Sequence, residues 1–91
     1  MLTAIILVQA TRESLAELGH RLAEARGVAE VYTVTGEWDF VAVLRLRRQE
    51  DLAKVVTGQI SQLAGVARTH TMVAFEVYSR HDLEALFSVG Q

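Results

Sequence analysis

Two strand–helix–strand halves, folded into one four-stranded antiparallel sheet with two helices on a single face, are what this 91-residue sequence predicts. Two observations carry the expectation. Apolar residues pass between strand-like runs and stripes at helical spacing, in the order βαββαβ. The chain also repeats itself. A shift of 38 residues lays Gly27, Val28, Ala29 and Thr33 on Gly65, Val66, Ala67 and Thr71, all identical. The same shift lays Leu18, Leu22 and Ala25 on Val56, Ile60 and Leu63, so both apolar stripes stay in phase. Two βαβ halves joined by a hairpin make the α+β sandwich of the ferredoxin-like type. Right-handed crossovers bring both helices to one face, with the first and third strands central and the second and fourth at the edges.

The elements follow in order. MLTAIILVQA is an unbroken, β-branched apolar run of strand length. Leu15, Leu18, Leu22 and Ala25 then fall on one helical stripe, with Thr11 as N-cap and Gly27 as the stop. Val28–Thr35 returns to strand composition, and Gly36, Glu37 and Trp38 form a short joint into a third strand, Phe40–Leu46. From Asp51 a second helix carries Leu52, Val55, Val56, Ile60 and Leu63, weakened at Gly58 by about 1 kcal/mol relative to Ala and ended at Gly65. A long last strand is expected over Arg68–Ser79. Leu83, Leu86 and Phe87 suit a short terminal helix at about 81–88, which completes a single domain over residues 1–91.

Composition narrows the function. Half the residues are hydrophobic (51%), so the chain is not of disordered type. Cysteine is absent, which removes disulfides, thiolate metal sites and thiol nucleophiles, and fits a cytoplasmic address. Nine basic residues face eleven acidic ones, a net charge of −2, and the one basic cluster, Arg45, Arg47 and Arg48, is followed at once by Glu50 and Asp51. Direct nucleic-acid binding, which draws its affinity from neutralised phosphates, is not expected. No apolar run approaches the ~18 residues of a membrane span, and no signal peptide is evident.

The helix-free face of the sheet is unusual. An antiparallel sheet covered on one side alternates apolar with polar residues. Here Leu2, Ala4, Ile6 and Val8 take one face of the first strand while Ile5 and Leu7 take the other. In the third strand Phe40, Ala42, Leu44 and Leu46 oppose Val41 and Val43. Such a patch needs a cover. A second copy is the economical one, giving a homodimer of dimeric α/β-barrel type through Ile5, Leu7, Val41 and Val43.

Catalytic and metal chemistry find little support. His20, His70 and His81 show no ligand spacing, so no metal site is expected and no motif asks for a cofactor. No nucleophile elbow or Ser–His pair stands out, and no catalytic residue is assigned. The segment Thr35-Gly36-Glu37-Trp38-Asp39-Phe40 is more informative, because a hairpin needs only its glycine. This one adds a large aromatic and two carboxylates beside backbone N–H groups, a place that can satisfy both ends of a zwitterion. The plain alternative is a turn in which Trp38 packs at an interface and Asp39 caps the backbone.

With Gly36, Trp38, Asp39 and Phe40 in the pattern G-x-aromatic-D-aromatic, and with Gly65-Val66 ahead of Thr69 and Thr71, the chain resembles one family over nearly its whole length. That family is the effector-binding domain of the Lrp/AsnC transcription factors, the regulation-of-amino-acid-metabolism domain. The resemblance implies dimers formed through their sheets, commonly closed into rings of four dimers, with a small effector, usually an amino acid, bound between dimers. It places the loop Thr35, Gly36, Glu37, Trp38 and Asp39 at the ligand pocket and makes Thr69 and Thr71 candidates for its wall. No helix-turn-helix precedes the first strand, so the chain resembles a stand-alone form that acts without touching DNA, alone or by co-assembly with full-length Lrp/AsnC regulators. Two alternatives share the fold. One is a small dimeric monooxygenase or isomerase with Trp38, His70 and Tyr78 lining its pocket; the other is an amino-acid-binding module of the ACT type.

Overall fold

A computed structural model describes residues 1–80 of the chain. Strand β1 (Leu2–Ala10) leads through a 3₁₀ turn, Arg12–Ser14, into helix α1 (Leu15–Glu24). Strands β2 (Val28–Thr33) and β3 (Phe40–Leu46) follow, then helix α2 (Gln49–Val56), a 3₁₀ turn at Ile60–Gln62, and strand β4 (Val66–Ala74). The sheet is antiparallel throughout, in the order β2-β3-β1-β4, so the two apolar strands are the central pair as expected. The terminal helix expected at about 81–88 lies outside the described residues.

One core holds the layers together. Ala4, Ile6 and Val8 of β1 and Phe40, Ala42, Leu44 and Leu46 of β3 are buried under Leu18 and Leu22 of α1, Val55 of α2 and Ile60 just beyond it. Leu18, Leu22, Val55 and Ile60 belong to the two expected helical stripes, whereas Leu15 of the first stripe is 43% exposed. At Gly19 the helix α1 lies so close to the sheet that a Cβ would sit 3.1 Å from the Phe40 ring. The repeated glycines also have a shared cause. Gly27 and Gly65 both adopt left-handed backbone, at φ +89° and +96°, where the chain turns from a helical layer into β2 and β4.

Three boundaries differ from the sequence reading, each for a physical reason. β4 starts at Val66 and stops at Ala74 rather than running to Ser79, because Ala74 pairs with Thr3 and β1 has little left to pair with beyond it. The β2–β3 connection comprises six residues, 34–39, instead of three: Thr33 pairs with Phe40, and the Val34 N–H donates to the Asp39 carbonyl at 3.0 Å. α2 ends at Val56, and the backbone leaves helical geometry by Gly58, where only glycine fits because a Cβ would lie 2.5 Å from the Lys54 carbonyl oxygen. Ile60 still reaches the core from the next turn.

The face away from the helices has no cover within residues 1–80. Ile5, Leu7, Val41 and Val43 stand half-buried on it, with Met72 of β4 paired beside Ile5 and 40% exposed. Beyond β4 the chain continues at the edge of this face with Phe75 (91% exposed), Val77 and Tyr78 all exposed. A groove of about 610 Å³ opens between this segment and Ile5 and Val43.

Candidate functional site

The β2–β3 loop is built around one glycine and one carboxylate. Gly36 takes φ +104° in open space, so its backbone angle, not crowding, requires glycine there. Asp39 ties the loop to the neighbouring strand. Its N–H donates to the Val8 carbonyl at 3.0 Å, and its Oδ2 accepts the Ala10 N–H at 2.7 Å. Ala10 lies beyond the last β1–β3 pair, Val8–Phe40, so its N–H has no partner in the ladder and the Asp39 carboxylate supplies the acceptor. Asp39 is therefore a backbone cap, and one of its oxygens is already engaged.

This bond gives a first prediction. Asp39→Ala leaves the Ala10 N–H without its partner and is expected to destabilise the fold by about 1–2 kcal/mol. Asp39→Asn keeps an acceptor oxygen and should recover most of that loss. Urea unfolding of the two variants checks it; equal stability of Asp39→Ala and the parent would remove the capping role.

Fixed in this way, the loop presents Glu37 and Trp38 to the helix-free side. Glu37 is doubly held: Gln9 Nε2 donates to its carbonyl at 3.1 Å, and its Oε1 lies 3.1 Å from the Arg68 guanidinium. Arg68 also covers the Trp38 ring, with its guanidinium carbon 4.6 Å from the centroid. The His70 ring stands on the other part of Trp38 at 6.3 Å, tilted by 44°. Gln9, Arg68 and His70 share one face because Gln9 pairs with Arg68 and Leu7 with His70 across β1 and β4. The result is an indole platform bordered by one cation, one imidazole and one carboxylate.

Thr35 is exposed beside Gly36, on the solvent side of the loop. Thr69 and Thr71 are not brought to this cluster. They pair with the buried Val8 and Ile6, so their side chains lie half-buried on the helix side, with the sheet between them and Arg68 or His70. The sequence reading weighed the two hydroxyls, named His70 only for an enzyme pocket, and passed over Arg68. Strict alternation along β4, combined with its register to β1, would have put Arg68 and His70 together.

Nor does the structure collect the trio Trp38, His70 and Tyr78. Tyr78 lines the groove with Ile5 and Val43, toward the other end of the face. Its hydroxyl donates to the Glu76 carboxylate, which raises the phenol above its ordinary value, and Glu30 does the same for Tyr32. Both shifts move the phenols away from serving as bases near neutral pH. Among the described residues no three His, Asp or Glu side chains come close enough to hold a metal ion. No helix among them is long and apolar enough to cross a membrane.

Comparison with known proteins is consistent across sequence and structure. A family model of the Lrp/AsnC ligand binding domain matches residues 3–83. An uncharacterized HTH-type transcriptional regulator of Pyrococcus horikoshii is 37% identical over 76 residues, which cover 84% of this chain and 51% of that protein. The chain thus spans about half the length of the curated relatives it matches. The crystal structure of TTHA0845 from Thermus thermophilus superposes with a TM-score of 0.83 at 46% identity, covering 88% of this chain and all of that one. A transcriptional regulator of Neisseria meningitidis, crystallised as its L-Met complex, has the same fold at 15% identity, with a TM-score of 0.78 over 87% of this chain and 53% of that one.

Proposed function

This chain belongs to the Lrp/AsnC ligand binding domain family, and from that premise we propose that it is a binding module that senses a free amino acid and regulates transcription indirectly. The observation that carries the reading is the Glu37–Trp38–Arg68–His70 cluster. An amino acid offers a carboxylate, an ammonium and a side chain. Arg68 suits the first through its planar fork, Glu37 the second, and the Trp38 indole the third. The Glu37–Arg68 pair is exposed, and such pairs contribute only about 0–1 kcal/mol, so a zwitterion can part them at small cost. Asp39 serves this site by holding the loop rather than by meeting the ligand.

The cluster lies on the side of the sheet that carries Ile5, Leu7, Val41 and Val43. In this reading that face packs against a second copy, and dimers assemble further into a ring such as a tetramer of dimers. The effector binds beside an interface and stabilises the assembly that contains it, which is linkage between ligand and oligomer. DNA is reached through co-assembly with a DNA-binding regulator, in the cytoplasm, without catalysis by this domain.

Thermal unfolding in the presence of each of the twenty amino acids at millimolar concentration tests the proposal. Binding of the native state at about 100 times the dissociation constant adds about 2.7 kcal/mol. The expected result is a selective rise in Tm for one or a few amino acids, abolished by Arg68→Ala and reduced by Glu37→Gln. No rise with any of them would overturn the assignment.

A further inference from the structure

At the far end of β3 from the Gly36–Asp39 loop, cations from three separate elements converge. Arg26 comes from the α1–β2 turn, Arg47 from just past β3, and Lys54 from α2, around a concave pocket of about 670 Å³. One carboxylate, Asp51, shares the lining. Three cations and one carboxylate make +2 in a chain whose net charge is −2, leaving −4 for the remainder. The ion pairs found among the described residues, Arg21–Glu17 and Arg68–Glu37, involve none of the three.

The frame of this pocket is fixed by the fold. The Arg45 N–H donates to the Gly27 carbonyl at 2.9 Å, and the Arg26 N–H donates to Gln59 Oε1 at 3.0 Å. At Gly27 the backbone lies so near β3 that a Cβ would overlap the Leu46 side chain. Gathering three like charges costs self-repulsion, which a multiply charged anion would relieve. Guanidinium groups match the oxygens of phosphates in two-point fashion, and Lys54 adds a point charge.

We infer that this pocket is a second binding site, for a small anion bearing a di- or triphosphate chain. Its concavity and volume suit a small molecule. The net negative charge of the remaining surface opposes an extended nucleic-acid backbone, which needs a broad basic track. The seven residues of β3 put it about 20 Å from the β2–β3 loop, so it does not depend on the amino-acid reading above.

Calorimetric titration of the full chain with inorganic tripolyphosphate at low ionic strength tests the inference. Saturable binding is expected, one anion per chain, weakened at least about tenfold in the double variant Arg47→Ala/Lys54→Ala. Arg12→Ala/Arg21→Ala removes the same charge elsewhere and should change affinity by less than about twofold. All of these side chains are exposed, and unchanged thermal unfolding verifies that each variant is folded. Absence of saturable binding overturns the site, as does equal weakening by both double variants, which would reveal diffuse attraction. Tighter binding of a short DNA duplex than of tripolyphosphate overturns the small-anion assignment.

Discussion

Val43→Asp is expected to convert the proposed dimer to a monomer that remains folded. Val43 lies on central strand β3, between Val41 and Arg45 on the face that no helix covers, and pairs with Ile5 of β1. Its neighbours Leu7 and Met72 make that surface predominantly apolar. An aspartate there stays hydrated in a single chain, because the face is open and the core under the helices is untouched. In a face-to-face dimer it becomes a carboxylate without a partner, at a cost of at least about 3 kcal/mol per chain. Two-fold symmetry repeats the change, so the dissociation constant should rise by roughly four orders of magnitude. Sedimentation velocity gives the mass and far-ultraviolet circular dichroism the fold. A soluble dimer of unchanged size would exclude this face as the interface.

The second large effect is expected at Gly65. Gly65→Ala combines two costs, since φ is +96° and a Cβ would overlap the Ser14 side chain at the start of α1. The Gly65 carbonyl also accepts the Thr11 N–H at 2.8 Å, so the strain is applied where β4 and α1 are joined. Strained backbone and overpacking together suggest a loss of roughly 2–4 kcal/mol. For a domain of this size each kcal/mol lowers Tm by about 4–8 °C. Gly36→Ala is the comparison. It carries a similar φ of +104° but meets open space, so only the backbone term, about 1–2 kcal/mol, applies. If the two variants melt together, crowding against Ser14 contributes nothing.

These two positions differ in how far sequence alone could reach them. The repeat that aligns Gly27 with Gly65 is visible without a structure, and its cause proved local: both turns need left-handed backbone. The apolar content of both faces of β1 and β3 was equally legible, because side-chain direction in a strand follows from parity. The candidate site was legible only in part. Glu37 and Trp38 drew notice by their chemistry in a turn, whereas their partner Arg68 lies 31 residues beyond Glu37 and reaches it only through strand pairing. Asp39 could be read as a ligand contact or as a cap, and the 2.7 Å bond from the Ala10 N–H shows that one of its oxygens caps the backbone.

The sequence by itself determined the order of elements, the two helical stripes, the central pair of strands and the uncovered apolar face. All of these follow from periodicity and residue chemistry, which act over a few neighbouring positions. Only the tertiary structure decided where β4 ends, which face Thr69 and Thr71 occupy, and that Arg26, Arg47 and Lys54 surround one space. Those outcomes depend on register and on how turns bring distant segments together. A one-residue shift in pairing would exchange the two faces of β4 without altering a single local preference.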